Sequence, residues 1–157
     1  MIKVDVLVPN KNWKKYITAP DLYIKKKLKK IDQKINLFKK NNYSFTLLLS
    51  GDAQVKKLNI QFRKKKETTD ILSFPFYSKK FLNKVQKNKN KNKNIYLGDI
   101  IINLKKIKKN TKDESFSISF DKIWIHGLAH LLGYRHKSDF DFSIMKKFEN
   151  KLLHTIK

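Results

Sequence analysis

Apolar and polar positions alternate at the start of the chain. Ile2, Val4, Val6 and Val8 share one side of residues 2–8, the period-two pattern of a strand with one buried face. Pro20 and Asp21 mark a helix start, and Ile24, Leu28, Ile31, Ile35 and Phe38 recur at helical spacing to about Lys40. Residues 43–49 (YSFTLLL) predict a second strand. Ser50-Gly51-Asp52 makes a turn able to cap a helix whose apolar stripe is Val55, Leu58 and Phe62. The polar stretch Lys64 to Thr69 is a loop, and residues 70–77 (DILSFPFY) predict a third strand. Pro75 has no N–H for a ladder, which puts that strand at a sheet edge.

Residues 83–94 (NKVQKNKNKNKN) are low in complexity and have almost nothing to bury, so they predict a solvated loop. A fourth strand follows over 96–103 (YLGDIIIN), then a short helix to Asn110. Residues 116–132 form the longest apolar helix, with Phe120, Ile123, Trp124, Leu128 and Leu131 as core candidates; Gly133 stands where a helix C-cap belongs. Asp139 can cap a last helix bearing Phe142, Met145, Phe148 and Leu152. There are no repeats and no boundary, so residues 1–157 make one domain. The expected class is α+β: roughly four strands in a mixed sheet, with helices packed mainly on one face.

Composition narrows the chemistry. With 157 residues, a core can be buried without staples, and the absence of cysteine excludes disulfides, thiolate ligands and a cysteine nucleophile. No run of 18 apolar residues exists to span a membrane, and the short apolar run ending at Pro9 is a strand pattern rather than a signal peptide. A cytoplasmic location is expected. The formal net charge of +24 draws polyanions. Only Arg63 and Arg135 are arginine, however, and Lys, Asn, Ile and Phe abound while Gly is scarce. That bias fits drift toward A/T-rich codons, so charge alone supports RNA binding only in part.

The chemistry concentrates in His126-Gly-Leu-Ala-His130-Leu-Leu-Gly-Tyr-Arg-His136, which holds three of the four histidines and two of the four glycines. Residues four apart share a helix face, about 5–6 Å between Cβ atoms, so His126 and His130 can reach one metal ion. Gly133 can turn the chain back and bring His136 close as a third ligand. Three neutral nitrogens leave one position open, the layout of a catalytic rather than a structural zinc site. Zinc peptidases place a glutamate general base between their two helical histidines; here that position is Gly127, which argues against a peptidase. Gly127 admits close approach of a substrate or of a neighbouring strand. His154 lies in a basic tail and is expected to be exposed.

These residues resemble the YbeY family of bacterial metallo-endoribonucleases, whose zinc motif reads approximately H-G-x-x-H-L-x-G-Y-D-H. A second block runs from Leu58-Asn59 through Phe62-Arg63 to Thr69-Asp70-Ile-Leu-Ser-Phe-Pro75, and is similar to the family's L-N-x-x-Y-R…T-D-V-L-S-F-P. A third, Leu97-Gly98-Asp99-Ile100, is similar to its L-G-D-I. The resemblance implies a small α+β domain, one zinc ion on His126, His130 and His136, and cleavage of single-stranded RNA. It implies maturation of the 3′ end of small-subunit (16S) rRNA and late ribosome quality control. The implied partners are the small ribosomal subunit, one of its proteins and an Era-like GTPase. Arg63 matches a family arginine thought to act at the active site, and a guanidinium fork suits phosphate. Asp70 and Asp99 are general-base candidates through their motif blocks; turn and capping roles are equally open to them. Arg135 replaces an acidic residue of the family beside the third histidine. It either costs the metal an orienting group or adds an RNA contact. A ribosome-assembly binding protein with a structural zinc and no nuclease activity is the alternative.

Overall fold

The computed structural model describes residues 1–110 and 114–157, in which β1 (Ile2–Leu7), α1 (Pro20–Lys34), β2 (Asn42–Ser50), α2 (Asp52–Arg63), β3 (Ile71–Pro75), α3 (Lys79–Lys87), β4 (Asn94–Asn103), α4 (Leu104–Asn110), α5 (Phe116–Leu131) and α6 (Asp139–Ile156) follow in order. The sheet order is β1-β2-β4-β3; β1, β2 and β4 are parallel and β3 is antiparallel to β4. The class is therefore α+β with a four-stranded mixed sheet, as expected. Among the described residues no helix is long and apolar enough to cross a membrane.

Strand alternation divides the core. Ile100 and Ile102 of β4, with Tyr43, Phe45, Leu47 and Leu49 of β2, face the main core together with α1, α3, α5 and α6. Ile101 turns the other way and meets Leu72 and Val55, so α2 alone of the larger helices covers the opposite face. Burial on both faces explains the unbroken apolar run in β4. β3 pairs only with β4, and Pro75 stands on that edge strand.

Four local readings need correction. The first helix stops at Lys34; Ile35 is extended and a 3-10 turn, Asn36–Phe38, carries Phe38 into the core. Asparagine competes with helical backbone bonding, so the stripe continues without the helix. Residues 83–94 are not wholly a loop, because α3 extends to Lys87. Its anchors are Leu82 and Val85, three apart and both buried, and Ser78 caps it by accepting from the Phe81 N–H at 3.2 Å. The remaining connection is tied to β2, since the Asn42 N–H donates to the Lys93 carbonyl at 2.8 Å. Asp52 does not cap α2; it accepts instead from the Asn103 amide at 2.9 Å and the Thr68 hydroxyl at 2.8 Å, joining α2 to the sheet. Ser138 rather than Asp139 caps α6, its hydroxyl accepting from the Asp141 N–H at 3.1 Å. Asp139 sits in the first turn, where a carboxylate suits the positive end of the helix.

Two glycines set distances that no side chain permits. At Gly98 the pairing of β2 with β4 slips by one residue, and φ is +130°. A Cβ there would lie 2.1 Å from the Phe74 carbonyl oxygen. At Gly127 a Cβ would meet Ile71 Cδ1 at 2.8 Å and Ile100 Cγ2 at 2.9 Å. Gly127 therefore serves close packing of α5 on β3 and β4, the strand-contact alternative of the two left open by the sequence. Gly98→Ala is expected to destabilise the fold by at least about 2 kcal/mol, through strained backbone and displacement of β3. Urea unfolding measures this, and an unchanged midpoint would show that the bulge tolerates a side chain.

Candidate metal centre

The centre is built on the last turns of α5 and the chain reversal after it. Gly133, at φ +84°, ends the helix in a Schellman turn: the Tyr134 N–H donates to the Ala129 carbonyl at 3.0 Å and the Gly133 N–H to the His130 carbonyl at 2.9 Å. This reversal returns His136 toward the helix. One ligand atom from each of His126, His130 and His136 lies within 4.8 Å of the others, and the ring centroids are 4.5, 5.1 and 5.7 Å apart. The three histidines are positioned to hold a metal ion.

Hydrogen bonding assigns the ring protons. His126 Nδ1 lies 2.6 Å from Glu149 Oε1, and His130 Nδ1 lies 3.0 Å from the Tyr134 carbonyl oxygen. Both partners are acceptors, so both Nδ1 atoms donate. In the neutral rings the Nε2 atoms then carry lone pairs, and these two atoms are 3.0 Å apart. Two acceptors at that distance repel unless a proton or a cation lies between them. For a tetrahedral ion with N bonds of 2.0–2.1 Å the separation would be about 3.3 Å. The donor set therefore fits a nitrogen-preferring divalent ion with modest adjustment.

Electrostatics keep His130 in the required state. Burial first, then the neighbouring His126, pushes His130 down to about 4, so its imidazole is neutral at pH 7. Burial alone would raise the Glu149 carboxyl. The hydrogen bond from His126 and the positive Lys146 outweigh it and hold the group below the ordinary carboxylate range. Glu149 is 7% exposed, so its charge acts on His126 in a partly desolvated setting. The sequence reading passed over Glu149. Its signal was there: it falls four residues after Met145 and three before Leu152, a charge within the apolar stripe of α6.

The other candidates separate. Arg63 ends α2, which packs on the opposite sheet face from α5, with β3 between; it is exposed, and no contact joins it to the histidines among the described residues. Asp70 lines a cavity of about 370 Å³ with His126, Glu149, Lys146, Lys122 and Glu114. Asp99 instead accepts from the Tyr96 hydroxyl at 2.6 Å, away from that cavity. Arg135 is exposed, and the acceptors that orient His126 and His130 come from Glu149 and Tyr134 rather than from its position. His154 is exposed, as expected.

Fold and centre together define a small α+β protein with three histidines positioned to hold a metal ion at the end of its longest apolar helix. The family model for endoribonuclease YbeY matches residues 8–157, and the chain belongs to that family. A Pelagibacter ubique endoribonuclease YbeY is 39% identical over an alignment covering all of this chain and 97% of the relative. One from Thermodesulfovibrio yellowstonii is 36% identical over 80% of this chain and 77% of its own. One from Buchnera aphidicola is 39% identical over 83% and 80%. A solution structure of a Thermotoga maritima protein shares the fold, with a TM-score of 0.62 at 19% identity, over 99% of this chain and 89% of that one.

Glu149→Leu is expected to weaken metal binding about 10–100-fold while leaving the chain folded, since ring orientation and basicity are lost but not a ligand. Competition against a chromophoric chelator measures it; wild-type affinity in the variant would remove Glu149 from the centre.

Proposed function

We propose that the protein is a zinc-dependent endoribonuclease that cuts single-stranded RNA. The observation that carries this reading is the pair of inward-facing imidazole lone pairs, joined by a third histidine, in a chain of the endoribonuclease YbeY family. Three protein nitrogens without a fourth match catalytic rather than closed structural zinc sites, which favours the enzyme over a binding protein with a structural ion. The proposed setting is the cytoplasm, in maturation of the 3′ end of 16S rRNA and late ribosome quality control. The proposed partners are the small ribosomal subunit, one of its proteins and an Era-like GTPase.

His126, His130 and His136 would hold the ion, with Glu149 and the Tyr134 carbonyl keeping each Nδ1 proton in place. Zinc bound there supplies Lewis acidity toward a phosphodiester oxygen and an activated nucleophile at neutral pH. Lysines draw the RNA backbone toward the site and raise the encounter rate. Asp70 lines the cavity beside His126, and its proposed role is to take a proton. Arg63 stands exposed beside the edge strand, and its proposed role is to stabilise charge on the phosphoryl group of a bound RNA.

Purified protein is expected to carry about one zinc per chain. Cleavage of single-stranded RNA should stop on chelation and return with zinc, and His130→Ala should lose both metal and cleavage. Chelator-resistant cleavage, or full zinc occupancy in that variant, would refute the assignment. Arg63→Ala is expected to keep fold and metal but to lower cleavage at least about 100-fold, in line with loss of one preorganised charge-stabilising group. An unchanged rate would take Arg63 out of the mechanism.

A further inference from the structure

The first turns of α6 present two large rings to solvent, and one of them, Phe142, lies beside the metal centre. Phe140 is 74% exposed and Phe142 57%. Neither ring makes an aromatic contact among the described residues, although their neighbours Tyr134 and Phe148 stack on each other at 4.5 Å. Phe142 lines a cavity of about 200 Å³ with His126, His136, Met145, Lys146 and Glu149. Full exposure of apolar rings costs free energy, so a folding role for Phe142 would have to show in a contact. The usual one at this position is a hydrophobic staple, pairing the fourth helical residue with the residue before the N-cap. That residue is Lys137, which supplies no such partner. Phe142 is thus unaccounted for by the fold.

We infer that Phe142 is a substrate-binding residue whose ring stacks on a nucleobase adjoining the scissile phosphate; this rests on the RNA reading above. Three features select a base as the occupant. The cavity is smaller than the roughly 300–1,000 Å³ of pockets that take whole ligands, and so suits one unit of a longer chain. Lys146 lines it, and the exposed Arg135, Lys137 and Lys147 adjoin its lining residues in sequence, so the charge around it complements a polyanion. The first turn of α6 itself carries Asp139 and Asp141, which repel phosphate there and leave the apolar ring as the attractive element. A base with its π face free satisfies all three, and such stacking is tolerant of sequence.

The test uses metal-loaded protein and a single-stranded RNA carrying 2-aminopurine at the nucleotides flanking its cleavage site. Wild-type protein should quench the fluorescence on binding. Phe142→Ala should abolish most of the quench and raise KM about 5- to 100-fold, the loss expected for one stacked base. Its kcat and metal content should stay close to wild type. Phe142→Trp should restore both quench and KM, and Phe142→Leu, equally apolar but not aromatic, should not. Equal KM in wild type and Phe142→Ala, or full rescue by leucine, would overturn the stacking role while leaving the RNA reading intact. Failure of the wild type to bind or cut any single-stranded RNA would overturn both. A concentration-dependent dimer that Phe142→Ala dissolves would assign the ring to a second copy of the chain and equally refute the inference.

Discussion

Two nitrogen lone pairs facing each other at 3.0 Å, on His126 and His130, are the constraint on which the rest of the centre depends. They face inward because both outer nitrogens are committed to acceptors, and those acceptors come from different parts of the chain. The Tyr134 carbonyl belongs to the turn that Gly133 makes, and Glu149 belongs to α6. Remove either, and an imidazole is free to rotate or change tautomer. The fold therefore specifies a cation site through groups that never touch the cation. It holds α5 against the sheet closely, through Gly127, and His126 lines the cavity beside β3.

The helix that carries the ligands is itself fixed by polar groups of unusual depth. Asp121, nearly buried, accepts from Trp124 Nε1 at 3.0 Å and Tyr23 Oη at 3.1 Å, and pairs with Lys27 at 2.7 Å. A carboxylate so enclosed is tolerable only with its bonds complete. Its partners tie α5 to α1, which packs on β1 at the edge of the sheet opposite β3. Rotation of α5 about its axis would break this network at one end and the Gly127 contact in the middle. The same constraint fixes the direction in which His126 and His130 point.

Periodicity made all four strands and the main helices legible, because each buries one stripe or one face. The clustering of the three histidines was legible for a similar reason: residues four apart and a glycine reversal are short-range geometry. What escaped was long-range or a competition between two local signals. Glu149 lies 23 residues from His126, and only the packing of α6 on α5 makes it a partner. The lysine- and asparagine-rich stretch hid α3, whose two anchors are sparse but both buried. Ser138 and Asp139 are both good caps, and the choice between them turns on backbone angles that adjacent residues share. Arg63 was singled out by a motif block and not by packing: α2, which carries it, lies on the other face of the sheet from α5, because Ile101 and Leu72 face one way while Ile100 and Ile71 face the other.

Net charge and local charge make different contributions. The chain carries +24, but the cavity beside His126 is nearly balanced: Lys122 pairs with Glu114 at 2.5 Å, Lys146 approaches Glu149 at 3.5 Å, and Asp70 adds a further carboxylate. At physiological ionic strength the field of distant surface lysines fades over about 8 Å. Those lysines can hasten encounter with a polyanion but cannot tell one stretch of it from another. Discrimination has to come from contacts within a few ångströms of the three imidazoles. There the protein offers a cation site, a handful of compensated charges and an uncovered aromatic ring. A lysine-rich surface and a cavity of nearly balanced charge beside His126 are thus compatible. The first sets how often RNA arrives, and the second sets what happens when it does.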